Sequence, residues 1–259
     1  MYQTLEYSCQ DGIAVVRLNR PNKLNALNPE MIADLRDLAT AVRADKDARV
    51  VIFTGNGRAF CAGADIAQMA KVEGAAAFLD FIENVQLAFN MIDDLNRPTI
   101  AAINGLAFGG GCELSLCCDF RIMAEDANIG VPEITIGLLP GAGGTQRLPK
   151  LLPTAIAKQM IYLGEPLNAQ TALQHGLINA VAPQGKVMDV AVEWANRLLK
   201  LPPVGIRCGK LLVDIAMNGS LKTGIEAERQ AMALLFSTED RTEGLSAFLE
   251  RRTATFKGR

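Results

Sequence analysis

A chain of 259 residues, 49% hydrophobic and 21% charged, holds one large domain, or a domain with a small appendage, around a sizeable core. Its formal net charge of −2 offers no basic field for nucleic acid or anionic lipid, and no run of about 18 apolar residues, the length of a membrane span, is left unbroken. The six cysteines form no Cys-x-x-Cys pair and His175 is the only histidine, which disfavours a metal centre or a Ser-His-Asp triad. The cysteines read as reduced, small apolar residues.

Residues 1–10 carry no basic segment followed by a long apolar run, so no secretory signal is expected. A bacterial cytoplasm, or a mitochondrial matrix after processing, is the expected compartment. Ile13–Leu18 and Val50–Thr54 read as strands. Between them Asn28 is an N-cap, Pro29 takes the first helical position, and Ile32, Leu35, Leu38 and Val42 follow at helical spacing. Gly55-Asn56-Gly57 is a polar turn, after which residues 60–66 lead through a strand and a turn towards another helix. A helix over about 75–95, a short buried strand at 99–103, a helix from about 111 to 118 and a strand at 120–124 come next. From Leu151 the strand signal fades. Helices are expected near 153–163, 168–175, 185–200, 203–218, 220–236 and 238–252, with Ser237 and Asp240 forming a capping box for the last. His175, before Gly176, reads as a structural residue at a helix C-terminus. The alternation predicts an α/β core over 1–200, closer to repeated two-strand-plus-helix units than to an open doubly wound sheet, and a helical appendage over 201–259.

Two glycine-rich stretches each carry one glutamate into apolar surroundings. The first is Asn104-Gly105-Leu106-Ala107-Phe108-Gly109-Gly110-Gly111-Cys112-Glu113-Leu114, and the second runs from Gly130 through Glu133 to Gly144. Carboxylates in such settings are costly to desolvate unless paired, hydrogen-bonded or employed, so Glu113 and Glu133 are candidates to share one water or one substrate. The glycines at a strand-to-helix junction leave unpaired N–H groups facing outward, and a second donor is available around Ala62-Gly63-Ala64-Asp65. Two such amides meeting at one point make an oxyanion hole. Neither G-x-G-x-x-G nor G-x-x-x-x-G-K-[ST] occurs, which lowers the dinucleotide and nucleoside-triphosphate readings. Asp65 and Asp119 read as cap or turn residues, and Arg147 as a tie for the Gly141–Gly144 loop.

Seven motifs in order, from Leu18-Asn19-Arg20-Pro21-Asn22-Lys23-Leu24-Asn25-Ala26-Leu27 through Ala62-Gly63-Ala64-Asp65-Ile66, Ala101-Ala102-Ile103-Asn104-Gly105, Gly109–Leu114, Pro132-Glu133-Ile134 and Leu139–Leu148 to Glu239–Phe248, resemble the enoyl-CoA hydratase (crotonase) family over nearly the whole chain. The resemblance implies a spiral of ββα units, trimers or hexamers of stacked trimers built through the C-terminal region, and acyl-CoA thioester substrates. It implies that the amides of Ala64 and Gly110 polarise the thioester oxygen, that Glu113 activates water for attack at Cβ, and that Glu133 protonates Cα. Coenzyme A, as part of the substrate, is implied against Asn22, Lys23, Leu24, Ala62, Asp65 and Ile66, with Phe248 and Arg251 approaching near the chain end. No metal or redox cofactor is implied. Where some members carry Lys after the Ala-Asp-Ile unit, this chain has Ala67 and Gln68, so Lys23 is the candidate cation. Two glutamates favour hydration over the isomerase chemistry of the same fold, for which one suffices; a non-catalytic RNA-binding relative would need a basic face. Acyl length and polarity are expected to depend on a pocket floor within about 72–90.

Overall fold

The computed structural model describes residues 2–259. β1 (Leu5–Gln10) and β2 (Ile13–Leu18) form an antiparallel hairpin whose two turn residues, Asp11 and Gly12, both take positive φ, the demand of a two-residue turn matched to strand twist. β1 is absent from the sequence reading, although Leu5, Tyr7 and Cys9 alternate with exposed Glu6, Ser8 and Gln10 in the two-residue period of a half-buried strand. α1 (Pro29–Ala44) begins as expected, with the Asn28 side chain accepting from the Met31 amide, and it buries Ile32, Leu35, Leu38 and Val42.

Three successive units then repeat one plan. β3 (Val50–Gly55) and β4 (Ala59–Cys61) are followed by α2 (Ile66–Met69) and α3 (Gly74–Asp93). β5 (Thr99–Ile103) and β6 (Leu106–Phe108) are followed by α4 (Gly110–Leu116). β7 (Phe120–Ala124) and β8 (Asn128–Gly130) are followed by a 3-10 turn at Pro132–Ile136, then α5 (Gly144–Leu151) and α6 (Thr154–Leu163). In each unit the first strand joins one sheet and the second joins another. With β9 (Leu167–Asn168), α7 (Ala169–Gln174) and β10 (Ala180–Ala182), the larger sheet is ordered β1-β2-β3-β5-β7-β10 and the smaller β4-β6-β8-β9. From β2 onward the larger sheet is parallel throughout, and β3 and β5 are buried at every residue, as strands covered on both faces must be. The repeat is the two-strand-plus-helix unit that the spacing predicts, wound into the ββα spiral that the family resemblance implies.

α8 (Val187–Leu199) covers the larger sheet, and α9 (Pro203–Asn218), α10 (Leu221–Phe236) and α11 (Glu239–Glu250) finish the chain. β9 and β10 correct the expectation of helices alone after Leu151: two or three residues are too short for a periodic signal, and only partner strands define them. The cap of α11 is Thr238, whose hydroxyl accepts from the Arg241 amide; Ser237 still has helical angles at the end of α10. α10 buries no side chain and leaves Leu221, Ile225, Met232 and Phe236 exposed. Among the described residues no helix is long and apolar enough to cross a membrane.

Candidate active site

The β4–α2 and β6–α4 junctions meet. Gly63 adopts φ +98°, and a Cβ there would come within 2.9 Å of the Phe108 carbonyl and 3.5 Å of the Gly110 nitrogen, so only glycine permits this approach. Leu27 donates to the Gly63 carbonyl at 2.7 Å and accepts from the Asp65 amide at 2.8 Å. These bonds straddle Ala64 as a parallel bridge does, which turns its own N–H to the opposite side. Gly110 is the first residue of α4, where an N–H has no intrahelical partner. Among the described residues neither the Ala64 nor the Gly110 amide has a backbone acceptor, and both residues line one cavity.

Glu113 stands one turn into α4 and is 2% exposed. Its carboxylate does not cap its own helix. One oxygen, Oε1, accepts from the amides of Ala142 at 2.8 Å and Gly144 at 2.7 Å, across the chain in the second glycine-rich stretch. Burial pushes its pKa up to about 7; the Gly144 amide opposes this, Glu133 adds to it, and the Ala142 amide and Arg147 oppose it. Glu133 sits in the 3-10 turn after Pro132, against Gly109, where a Cβ would lie 3.0 Å from its Oε1 and φ is +52°. Its Oε2 is buried without a hydrogen-bond partner among the described residues, and burial raises its pKa against the pull of its own backbone amide. Both acids line the same cavity of about 700 Å³.

The scaffold behind them is polar. Arg147 donates to Asp93 at 2.7 and 3.1 Å, to Asn90, and to the Ala142 carbonyl at 3.3 Å, tying the Gly141–Gly144 loop as expected. Arg121, which is buried, donates to the carbonyls of Ser115, Cys118 and Leu177, placing a cation at the C-terminal end of α4. Asp119 accepts from Thr99 and pairs with Lys210. Asp65 precedes α2 but does not cap it: its carboxylate pairs with Arg20 at 3.0 Å, and that contact holds its pKa low. Arg20 was not singled out in the sequence, where a lone arginine in a turn carries no signal of a partner 45 residues away.

Of the residues anticipated for substrate, Ala62, Ala64, Ile66, Gly110, Glu113 and Glu133 line the cavity. Asn22, Lys23, Leu24 and Asp65 do not, although the Leu24 carbonyl accepts from Ala62 at 3.0 Å, so that loop lies along the cavity's edge segment. Asn22 and Lys23 are exposed. Phe248 and Arg251, at the end of α11, are exposed and outside the lining. The wall that sequence could not map includes Phe78, Phe81, Ile82 and Val85 of α3, within the expected 72–90. Among the described residues no three His, Cys, Asp or Glu side chains gather as a metal site.

The ββα spiral, the paired acids and the converging amides define a crotonase-fold protein, and residues 8–259 match the model of the enoyl-CoA hydratase/isomerase family, to which the chain belongs. Among its relatives, crotonyl-CoA hydratase of Syntrophomonas wolfei is 39% identical over 98% of each chain. The 2,3-dehydroadipyl-CoA hydratase of Escherichia coli K12 is 40% identical over 97% of this chain and 98% of its own. The crystal structure of an enoyl-CoA hydratase from Bacillus anthracis matches with a TM-score of 0.95 at 38% identity, covering 99% of this chain and 100% of that one.

Proposed function

We propose that this protein is an enoyl-CoA hydratase, adding water reversibly across the double bond of a 2-trans-enoyl-CoA to give a 3-hydroxyacyl-CoA. The observation that carries the reading is the pair of buried glutamates on one cavity, both with raised pKa values, beside two backbone amides without acceptors. The thioester oxygen sits between the Ala64 and Gly110 amides, where attack at Cβ makes it anionic; each such donor contributes about 3–4 kcal/mol of barrier stabilisation. Two amides hold Glu113 Oε1 and leave Oε2 to orient water and take its proton. Glu133 gives its proton to Cα, and transfer of the proton held by Glu113 restores the pair. The active state is the pair carrying one proton, so the titration belongs to both acids together.

Coenzyme A enters as part of the substrate, along Ala62 and Ile66, with Asn22, Lys23, Leu24 and Asp65 at the edge. The exposed apolar residues of α10 support assembly through residues 201–259 into a trimer or a pair of trimers. That assembly is how Phe248 and Arg251 would reach a neighbour's coenzyme A.

The test is loss of the conjugated enoyl-thioester absorbance when purified protein meets crotonyl-CoA and its longer homologues. Glu113→Gln and Glu133→Gln should each lower turnover by orders of magnitude with the fold unchanged. Absence of decay at every chain length refutes the reading, and migration of a 3-enoyl double bond without hydration would assign isomerase chemistry instead.

A further inference from the structure

We propose that the acyl tail accepted here is an uncharged hydrocarbon longer than four carbons, and that a tail ending in a carboxylate is refused. This rests on the acyl-CoA reading of the cavity, not on the hydration step. Beyond the acids, one wall is the face of α3 that repeats at Phe78, Phe81, Ile82 and Val85, the i, i+3, i+4, i+7 pattern of a single helical stripe. Ile136 and Leu139, each more than half exposed, line the same cavity. Large apolar side chains left this exposed around one concavity mark a binding surface for apolar matter.

Charge decides the tail's end. Among the described residues no Lys, Arg or His lines the cavity, and its ionisable side chains are Glu113 and Glu133. The hydroxyl of Thr135, the other polar side chain in the lining, donates to the Pro132 carbonyl at 2.7 Å and so is not a donor to ligand. A terminal carboxylate would lose water, find no cation, and lie in the field of two acids. Size decides its length. A four-carbon acyl group fills on the order of 120 Å³, at about 30 Å³ per water-sized group, against a cavity of about 700 Å³. Several times that volume is left to be shared between the end of the thioester arm and a longer tail.

The test is calorimetric titration of the intact protein with unreactive saturated esters, beside kcat/KM for the matching 2-enoyl-CoAs. Octanoyl-CoA should bind at least tenfold tighter than butyryl-CoA, since a fully buried methylene is worth roughly fourfold. Adipyl-CoA should bind about 100-fold more weakly than hexanoyl-CoA, and 2,3-dehydroadipyl-CoA should trail 2-hexenoyl-CoA by a similar factor. Ile136→Lys, which sets a cation in the apolar wall, should narrow the adipyl-to-hexanoyl gap at least tenfold. The proposal is overturned if adipyl-CoA matches hexanoyl-CoA, if octanoyl-CoA is no better than butyryl-CoA, or if no ester binds. Binding in the expected order without turnover upholds the tail assignment while refuting hydration.

Discussion

Glu113→Gln should trade activity for stability in a pH-dependent way. The Glu113 carboxyl, ordinarily near 4.5, is pushed up to about 7 in the fold. Between those values the unfolded chain has released a proton that the folded chain retains, so stability falls as pH rises and the whole penalty is present above about 7. At 2% exposure solvent screens little of it. The displacement corresponds to about 1 kcal/mol at pH 5 and about 3 kcal/mol at pH 8. Glutamine keeps the acceptor that the Ala142 and Gly144 amides require and removes the charge. The variant should therefore gain about 2 kcal/mol on wild type between pH 5 and pH 8, a relative rise in Tm of roughly 4–8 °C for a chain of this size. Thermal unfolding of both proteins at equal concentration, across that range, measures it. A difference in stability that does not grow with pH would refute the assignment of a strained, buried carboxylate, whatever the variant's activity.

Other expectations follow from the same geometry. kcat/KM should be bell-shaped in pH, falling on the acid side as the pair gains a second proton and on the alkaline side as it loses its last; a flat profile from pH 5 to 9 would contradict a shared proton. Gly63→Ala, forced to keep φ +98° against the Phe108 carbonyl, should cost about 1–2 kcal/mol of stability. It should also displace Ala64 enough to lower kcat about 100-fold. Arg147→Gln should release the loop that holds Glu113, lowering kcat more than it raises KM, with circular dichroism unchanged. Equal kcat in that variant would show that the Ala142 and Gly144 amides are placed without it.

Both acids were legible in sequence because a carboxylate among glycines and apolar residues is a local contradiction that demands a purpose. What each acid touches was not. The sequence placed Glu113 near the start of a helix as a candidate to hold water, but not its hydrogen-bond partners, which are amides some thirty residues away. Asp65 read as a cap, yet Arg20 holds it. The start of α1 was readable to the residue because Asn28, Pro29 and the apolar stripe act within one helix. β4, β6, β8, β9 and β10 were poorly readable because strands of two or three residues gain their definition from neighbours.

By itself the sequence determined the main helices and the longer buried strands, the two carboxyl groups set among apolar residues and the flexible backbone beside them, since propensity, capping and local polarity act over a few residues. Only the tertiary structure decided that the amides of Ala64 and Gly110 lie together, that Glu113 is gripped from the far loop, and that α3 supplies an uncharged wall. Those facts depend on contacts between distant segments, whose energies arise only when the chain has closed on itself.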